Sequence, residues 1–378
     1  MLPPMVTVRT GTLAGFRTLS VDRTLVAAIV GSRLIVLVAA WLAELVDWRN
    51  PALTSGSDQP ILRSLTSWDG WWYLGIARNG YHAAPLAGAY HDYAFLPFYP
   101  AIVRALALPW AGADSLIAVL LSNALFVVGL MLLLQLGQTV LDDDRARQGV
   151  ILLALFPFGA VFSMAYAESL FLVLSVGAFL AAERDRRRLA GLLVGLAALT
   201  RLQGAILAAP IWLIWFLHDG RRLKLNQWPV LLGPIAAAAF IVGVSILAGG
   251  VGAYGAAQSA WGRAGIGATG GSDQALVSML SPVNIAQFVV LLVAVFVLVY
   301  LRADRLRAAY ALLPPLYLVQ AFASGSLLSI GRYVMLAFPN AWLLAGRRAR
   351  WFRAGWPIAS AVLLFGFSLW TFAGWWGP

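Results

Sequence analysis

The sequence contains a carboxylate in an unusual setting, because Asp69 is the one acid in the aromatic stretch SWDGWWYLGIARNGYH (67–82). A carboxylate held beside a substrate hydroxyl group can accept its proton and so act as a general base. Asp69 can equally stabilise the N-terminus of an interfacial helix for which Ser67 would be the N-cap. In that second interpretation the neighbouring aromatic residues form a belt at the membrane surface. These residues are Trp68, Trp71, Trp72 and Tyr73.

A second acid lies in the stretch HDYAFLPFYP (91–100). The pair of His91 and Asp92 is either a second acid and base or a solvated loop pair, and both interpretations stay open. Pro97 and Pro100 restrict the backbone, so the stretch is expected to form a turn that re-enters the membrane. The sequence therefore offers two candidates for a general base, one in each stretch.

Three further charged residues stand alone in apolar surroundings: Glu168 in AYAESLF, Arg201 in LTRLQG and Arg332 in IGRYVMLAFP. A charge at membrane depth costs roughly 2.5–3.5 kcal/mol on insertion scales, so such residues tend to mark function. Two guanidinium groups could bind a phosphate through their planar, forked donors. The alternative is that they form ion pairs with Glu168 or Asp69, and Glu168 could also simply cap the helix that begins there.

The overall composition indicates an integral membrane protein. Of the 378 residues, 61% are hydrophobic and 11% are charged, and the mean hydropathy is +0.80, which is more apolar than one water-soluble core requires. The net charge of +11 does not indicate nucleic-acid binding, because most of the arginines fall in short clusters between apolar segments. The chain has no cysteine and its three histidines lack metal-ligand spacing, which argues against thiol chemistry and a zinc site.

Six basic clusters hold 19 of the 27 Lys and Arg residues and set the expected topology. If all six face the cytoplasm, the segments between them must leave and return, with turns near SMAYAES, TRLQG and SGSLLSIGRY. The expected fold is an all-α integral membrane bundle of about 11 spanning segments, within a range of roughly 9 to 13, with a cytoplasmic N-terminus. The clearest candidates are residues 24–46, 116–140, 229–249, 283–301 and 356–376.

The chain is expected to form a single polytopic domain with two long outer loops. The first loop, residues 47–115, contains Asp69 and Asp92 and is expected to carry short interfacial helices. The second loop, residues 250–282, is rich in glycine and is either a flexible connection or a lid. The first apolar segment is too long for the core of a signal peptide and is interrupted by Arg33, so we interpret it as a retained helix.

Five motifs, taken together and in this order, resemble the PIG-V family of GT-C glycosyltransferases. The motifs are WDGWWYLGIARNGY, YAFLPFYP, SMAYAESLF, LTRLQG and GRYVMLAFP, which extend from residue 68 to residue 339. The resemblance implies a GT-C-like multi-spanning bundle that transfers a sugar, typically mannose, with inversion. The donor would be a polyprenyl-phosphate sugar and the acceptor a lipid-linked or membrane-held molecule on the non-cytoplasmic face. GT-C enzymes commonly carry a catalytic acid in the first outer loop, and the matching residue is Asp69, with Asp92 as the alternative.

The resemblance also implies roles for the remaining candidates. Arg201 and Arg332, with Gln203 and Tyr333, would bind the lipid phosphate and offset the charge that develops on it. With arginines in that role no cofactor or divalent metal is required, and the acidic motif DDDRAR (142–147) is expected to be a solvated cytoplasmic loop. The residues expected to form the acceptor and sugar platform are Trp68, Trp71, Trp72, Tyr73, His91, Tyr166 and Glu168.

Two other classes of protein are alternatives: a transporter or flippase of lipid-linked sugars, and a non-catalytic membrane assembly subunit. A transporter needs a polar path that reaches both faces of the membrane. The isolated charges of this chain instead gather near the expected outer face. Compared with the eukaryotic pattern of the family that it resembles, the chain is short and has sparse outer loops, which favours a multi-pass enzyme of the bacterial inner membrane with its active site outside the cytoplasm.

Overall fold

The computed structural model describes residues 22–46, 49–85, 90–261, 307–323, 330–345 and 350–377, and within them the chain is helical and has no β-strand. The first α-helices are α1 (Arg23–Leu45), α2 (Leu62–Leu65), α3 (Asp69–Asn79), α4 (Phe98–Ala107), α5 (Asp114–Val140), α6 (Asp143–Ala154), α7 (Glu168–Glu183) and α8 (Arg187–Thr200). Those that follow are α9 (Gln203–Ile206), α10 (Ala208–His218), α11 (Leu232–Leu247), α12 (Ala253–Ala260), α13 (Ala308–Ala323), α14 (Ile330–Leu336), α15 (Pro339–Ala345) and α16 (Arg350–Phe372). Short 3-10 helices cover Asp92–Ala94, Gly159–Phe162 and Leu225–Leu231.

Four helical segments among the described residues are long and apolar enough to cross a membrane. They are Arg23–Leu45, Asp114–Val140, Leu225–Leu247 and Gly355–Phe372. They coincide with four of the five clearest sequence predictions, and the fifth, residues 283–301, lies outside the described residues. The all-α membrane character is thereby confirmed, whereas the number of about 11 spanning segments stays a prediction.

At the first two predicted turns the structure has a break between two helices, whereas the crossing of the membrane by these pairs stays a prediction. Residues 155–167 connect α6 to α7, and the break between α8 and α9 follows directly after Thr200, at Arg201 and Leu202. Much of the predicted third turn, residues 324–329, lies outside the described residues. Helix α7 is apolar around its circumference and almost entirely buried, because it packs between α5 and α8. Its first residue, Glu168, is therefore carried into the interior of the bundle.

Helix α3 begins at Asp69, as the sequence predicts, but the prediction that Ser67 is its N-cap is wrong. The Ser67 hydroxyl group donates to the Ser64 carbonyl oxygen (2.7 Å), and the cap position is taken by Trp68, whose φ is 57°. A bulky residue in this left-handed region is strained by roughly 1–3 kcal/mol. The Trp68 indole N–H donates to the Thr371 carbonyl oxygen of α16 (3.0 Å), so a distant helix holds the turn before Asp69.

Both predicted outer loops contain helical structure. The first, residues 47–115, carries α2, α3 and α4, which matches the expected short helices. The second, residues 250–282, is described as far as Trp261, and this part forms α12. Helix α12 packs against the 3-10 helix Asp92–Ala94 and against α11, which brings the two loops together.

Candidate active site

Four charged side chains from four separate elements meet in the interior. Arg332 Nη1 donates to Asp69 Oδ2 (2.6 Å) and to Glu168 Oε1 (3.1 Å). Arg201 Nη1 donates to the same Glu168 oxygen. We call Asp69, Glu168, Arg201 and Arg332 the charge cluster. It holds two carboxylates and two guanidinium groups, so it is neutral as a unit when all four are ionised.

The members of the charge cluster differ in exposure. The side chains of Glu168 and Arg332 are 0% and 3% exposed, whereas those of Arg201 and Asp69 are 11% and 19% exposed. Charges buried to this degree are stable only when they are paired, because each loses its hydration. Asp69 is the most exposed member, which is the property that a group accepting a proton from a substrate requires.

Local structure explains how the cluster is positioned. Asp69 and Glu168 are the first residues of α3 and α7, where a carboxylate is favoured by the helix dipole. Arg201 is the C-cap residue of α8, where a cation is favoured for the same reason. Glu168 stands at the helix start that the capping interpretation assigned to it, but the N-cap position is taken by Ala167, and one Glu168 carboxylate oxygen accepts from both arginines.

Tyr166 joins the charge cluster to the start of α3. Its hydroxyl oxygen accepts a hydrogen bond from the Asp69 backbone N–H (3.1 Å), and its ring lies 5.7 Å from the guanidinium carbon of Arg332. Its own carbonyl oxygen accepts from the Ser122 hydroxyl group (3.2 Å). Tyr166 is fully buried and is not among the residues that line the adjoining cavity, so it supports the carboxylate rather than facing it.

A second polar network anchors the segment that carries Tyr166 and Glu168. Arg33 Nη1 donates to the Ser163 hydroxyl oxygen (2.8 Å), and the Ser163 hydroxyl group donates to Asn123 Oδ1 (2.8 Å). The Arg33 guanidinium carbon also lies 4.2 Å from the centre of the Phe126 ring. The arginine that interrupts the first apolar helix is thus used to hold the turn between α6 and α7.

A cavity of about 290 Å³ adjoins the charge cluster. Its charged wall is formed by Asp69, Arg201 and Arg332. The other lining residues are mainly amide and aromatic side chains together with short apolar ones: Tyr73, Ala94, Phe95, Leu96, Thr200, Leu202, Gln203, Tyr254, Gln258, Gln320 and Tyr333. Gln203 and Tyr333, which the sequence places with the two arginines, therefore lie in the same cavity as they do.

Asp92 has a different environment from Asp69. It is 1% exposed, and its Oδ2 accepts from the backbone N–H of His82 (3.0 Å) and lies 2.9 Å from His82 Nδ1. Its Oδ1 lies 2.7 Å from Nδ1 of His91, which is itself buried. Neither Asp92 nor His91 lines the cavity, although Ala94, Phe95 and Leu96, which follow them, do.

The predicted aromatic platform divides into two groups. Tyr73 lines the cavity. Trp72 is buried and stacks on Phe95, with ring centres 5.5 Å apart, and Trp71 meets the Trp72 ring edge-on at 4.7 Å. Trp68 is directed toward α16 through its bond to a carbonyl oxygen there. The roles of these side chains in sugar binding stay predictions.

Sequence reasoning missed Gln258 and Gln320, which both line the cavity. Gln320 had a usable signal, because it is the one amide in the otherwise apolar helix AAYALLPPLYLVQAFA. Gln258 lies in a glycine-rich stretch that suggested a connection or a lid but pointed to no individual residue. Among the described residues no group of three His, Cys, Asp or Glu side chains is arranged to hold a metal ion.

Comparison with known proteins relates the sequence of this chain to a family. Residues 25–216 match the family model described as Mannosyltransferase (PIG-V). The rat and mouse proteins named GPI alpha-1,6-mannosyltransferase 2 are 33% identical over 158 and 156 residues, in each case 39% of this chain. The aligned region spans 31% and 30% of those relatives, so it covers about a third of their length.

The fold has a counterpart among solved structures. The apo oligosaccharyltransferase of Archaeoglobus fulgidus has a TM-score of 0.50 and 14% sequence identity, over 94% of this chain and 56% of that one. A likeness at this identity concerns the fold alone. The family match covers half of the chain and includes three members of the charge cluster, Asp69, Glu168 and Arg201. This chain therefore belongs to the PIG-V mannosyltransferase family.

Proposed function

We propose that this chain is a glycosyltransferase that moves one sugar, with inversion, from a polyprenyl-phosphate donor to a hydroxyl group of a lipid-linked or membrane-held acceptor. The observation that carries the proposal is the placement of Asp69 at the cavity wall, where it bonds to Arg332 and where Arg201 also lines the cavity. A base and two cations at one wall match the two charges that must be handled during such a transfer. The proposed sugar is mannose, in keeping with the family.

In the proposed reaction the acceptor oxygen attacks the anomeric carbon of the donor sugar. The bond from that carbon to the phosphate oxygen breaks, and its electron pair leaves with the polyprenyl phosphate. The acceptor proton passes to the Asp69 carboxylate, a transfer that typically contributes ~10²–10⁴-fold to the rate. Attack from the face opposite the leaving phosphate accounts for inversion.

The charge that develops on the leaving phosphate would be offset by Arg201 and Arg332. Glu168 bonds to both guanidinium groups and so fixes the distance between them before any substrate binds. Gln203 and Tyr333 lie in the same cavity and would donate to the remaining phosphate oxygens. Because two cations are already present, the proposal does not call for a divalent metal.

The proposed location of the reaction is the non-cytoplasmic face of the membrane. This rests on the basic clusters, which under the positive-inside rule would leave the first loop outside. The proposed partners are therefore a polyprenyl-phosphate sugar and an acceptor that the same leaflet presents. The surrounding membrane would be the bacterial inner membrane.

The test compares Asp69→Asn with Asp92→Asn, since both replace a partly or fully buried carboxylate by an amide of the same shape. Purified protein would be given labelled polyprenyl-phosphate mannose, with a total membrane lipid extract as the source of acceptors. We expect Asp69→Asn to lower transfer by ~10²-fold or more while donor binding is retained, and Asp92→Asn to stay within a few-fold of the parent. An inactive Asp92 variant beside an active Asp69 variant would reverse the assignment. Full activity of both would refute it.

A further inference from the structure

Three glutamine amides line the same cavity as the charge cluster: Gln203, Gln258 and Gln320. They come from three different helices, α9, α12 and α13, so no local sequence constraint brings them together. An amide carries a donor and an acceptor but no net charge. This suits hydroxyl groups, whereas the arginines suit phosphate.

Gln320 shows the clearest sign of a missing partner. Its Oε1 atom is buried and accepts no hydrogen bond from any part of the chain that the structure describes. An unsatisfied acceptor in the interior is costly, and native proteins keep few of them. The side chain extends from an apolar helix into the cavity. A ligand hydroxyl group bound there would supply the absent donor.

Gln258 is held in one orientation by a contact of its own. Its Nε2 atom donates to the Ala94 carbonyl oxygen (3.2 Å), and Ala94 follows the buried Asp92 in the same short helix. This contact fixes which end of the amide bonds to the first loop. Tyr254, one turn earlier on α12, lines the cavity with it. Helix α12 thus contributes an oriented amide and a ring, a pairing that suits the polar edge and the face of a sugar.

We propose that Gln320 is a specificity-determining residue that accepts a hydrogen bond from one hydroxyl group of the transferred sugar, with Gln258 contacting a second. The inference rests on the proposed function, because it assumes that the sugar being transferred lies in the cavity beside the charge cluster. In this arrangement the arginines bind the part of the donor common to all polyprenyl phosphates. The glutamines distinguish one sugar from another.

The test uses Gln320→Met, which keeps the length of the side chain but removes both polar atoms. Gln135→Met is the matched control, because Gln135 is also half-buried on an apolar helix but does not line the cavity. Each protein would be assayed with polyprenyl-phosphate mannose and with its 2-, 3-, 4- and 6-deoxy analogues. The measured quantities are kcat/KM for transfer and Kd for donor binding.

We expect Gln320→Met to lower kcat/KM for the full sugar by ~10-fold or more, the usual consequence of a lost hydrogen bond to a buried group. For one deoxy analogue, kcat/KM of the parent should be ~10-fold lower than for the full sugar. For Gln320→Met the same comparison should differ by less than about 3-fold, because the variant has already lost the hydrogen bond to that hydroxyl group. Ratios between donors do not depend on the fraction of folded protein. The control variant Gln135→Met should show the same dependence of kcat/KM on the deoxy analogues as the parent.

The inference would be overturned if Gln320→Met lowered kcat/KM by the same factor for the full sugar and for every deoxy analogue, or if it did not lower kcat/KM at all. Failure of the proposed function would look different. In that case the parent would transfer no sugar, and the Kd series alone would decide whether Gln320 senses a particular hydroxyl group. A Kd pattern that is the same in Gln320→Met and in the parent would overturn the inference without any reference to turnover.

Discussion

The neutrality of the charge cluster leads to a quantitative prediction about Arg332. Arg332 is 3% exposed and is the residue that contacts both carboxylates, so Arg332→Gln leaves Asp69 and Glu168 with Arg201 as the one remaining guanidinium group of the cluster. Removing one partner of a buried ion pair typically costs ~3–5 kcal/mol, because the charge left behind remains desolvated. We expect the free energy of unfolding to fall by about that amount.

A second substitution should return part of this loss. Adding Asp69→Asn to Arg332→Gln removes the surplus negative charge and leaves the pair of Arg201 and Glu168 in contact. Replacing both members of a buried pair is often nearly neutral. The double variant should therefore be more stable than Arg332→Gln alone, with a coupling of ~1–3 kcal/mol. Transfer by the double variant should remain ~10²-fold or more below that of the parent, because the proposed base is absent.

The assay is urea unfolding in detergent, followed by the fluorescence of the 16 tryptophans. Arg145→Gln is the control, because Arg145 forms an exposed pair with Asp142, and such pairs contribute only ~0–1 kcal/mol. The reasoning would be refuted if Arg332→Gln lost less than about 1 kcal/mol. It would also fail if the loss of stability in the double variant equalled the sum of the losses in Arg332→Gln and Asp69→Asn, since additive losses would mean that the two sites do not interact.

Two further predictions concern close packing and pH. Gly331→Ala would place a Cβ atom 2.5–2.7 Å from the Phe158 ring, so in a thermal melt it should cost ~1–3 kcal/mol, and it should lower transfer by displacing the helix that carries Arg332. Gly243→Ala meets nothing within 4 Å and should be neutral or slightly stabilising in the same melt. Hydrogen bonds from Arg187, and then from Lys224 and a neighbouring amide, lower the pKa of Asp219, so its stabilising effect should be complete above the ordinary carboxyl pKa of about 4 and decline as the pH falls below that value. The difference in melting temperature between the parent and Asp219→Asn should accordingly be larger at pH 7 than at pH 3, and an equal difference at both would contradict the ionic origin.

The sequence was sufficient to find four spanning helices and all four members of the charge cluster. Long apolar segments predicted the spanning helices because the bilayer requires a minimum length. Lone charges in apolar surroundings pointed to Glu168, Arg201 and Arg332 because burying a charge without a purpose is costly. Of the alternatives left open for the two arginines, ion pairing is present, because Arg201 pairs with Glu168 and Arg332 with Asp69 and Glu168. Phosphate binding stays a prediction, and both arginines line the cavity in which it would occur.

What the sequence could not supply was the choice among equivalent partners. Arg332 bonds to Asp69 across 263 residues, and charge alone would have allowed Asp92 in the same place. The difference arises because Asp92 is enclosed by two histidines of its own loop. Ser67 was likewise a sound N-cap by residue type. Tertiary contacts of Trp68 instead impose a backbone conformation that local preference disfavours.

The arrangement of the charge cluster also has a consequence for how the protein is made. Three of its members, Asp69, Glu168 and Arg201, lie in the first 201 residues, whereas Arg332 follows 131 residues later. Until α14 emerges from the ribosome, the growing chain therefore contains the two carboxylates of the cluster but only one of its two guanidinium groups. The tie between Trp68 and α16 closes later still. A truncated chain that stops after α10 would lack the partner of Asp69, and we expect it to be less stable than the full chain because a carboxylate without a partner is costly in an apolar bundle.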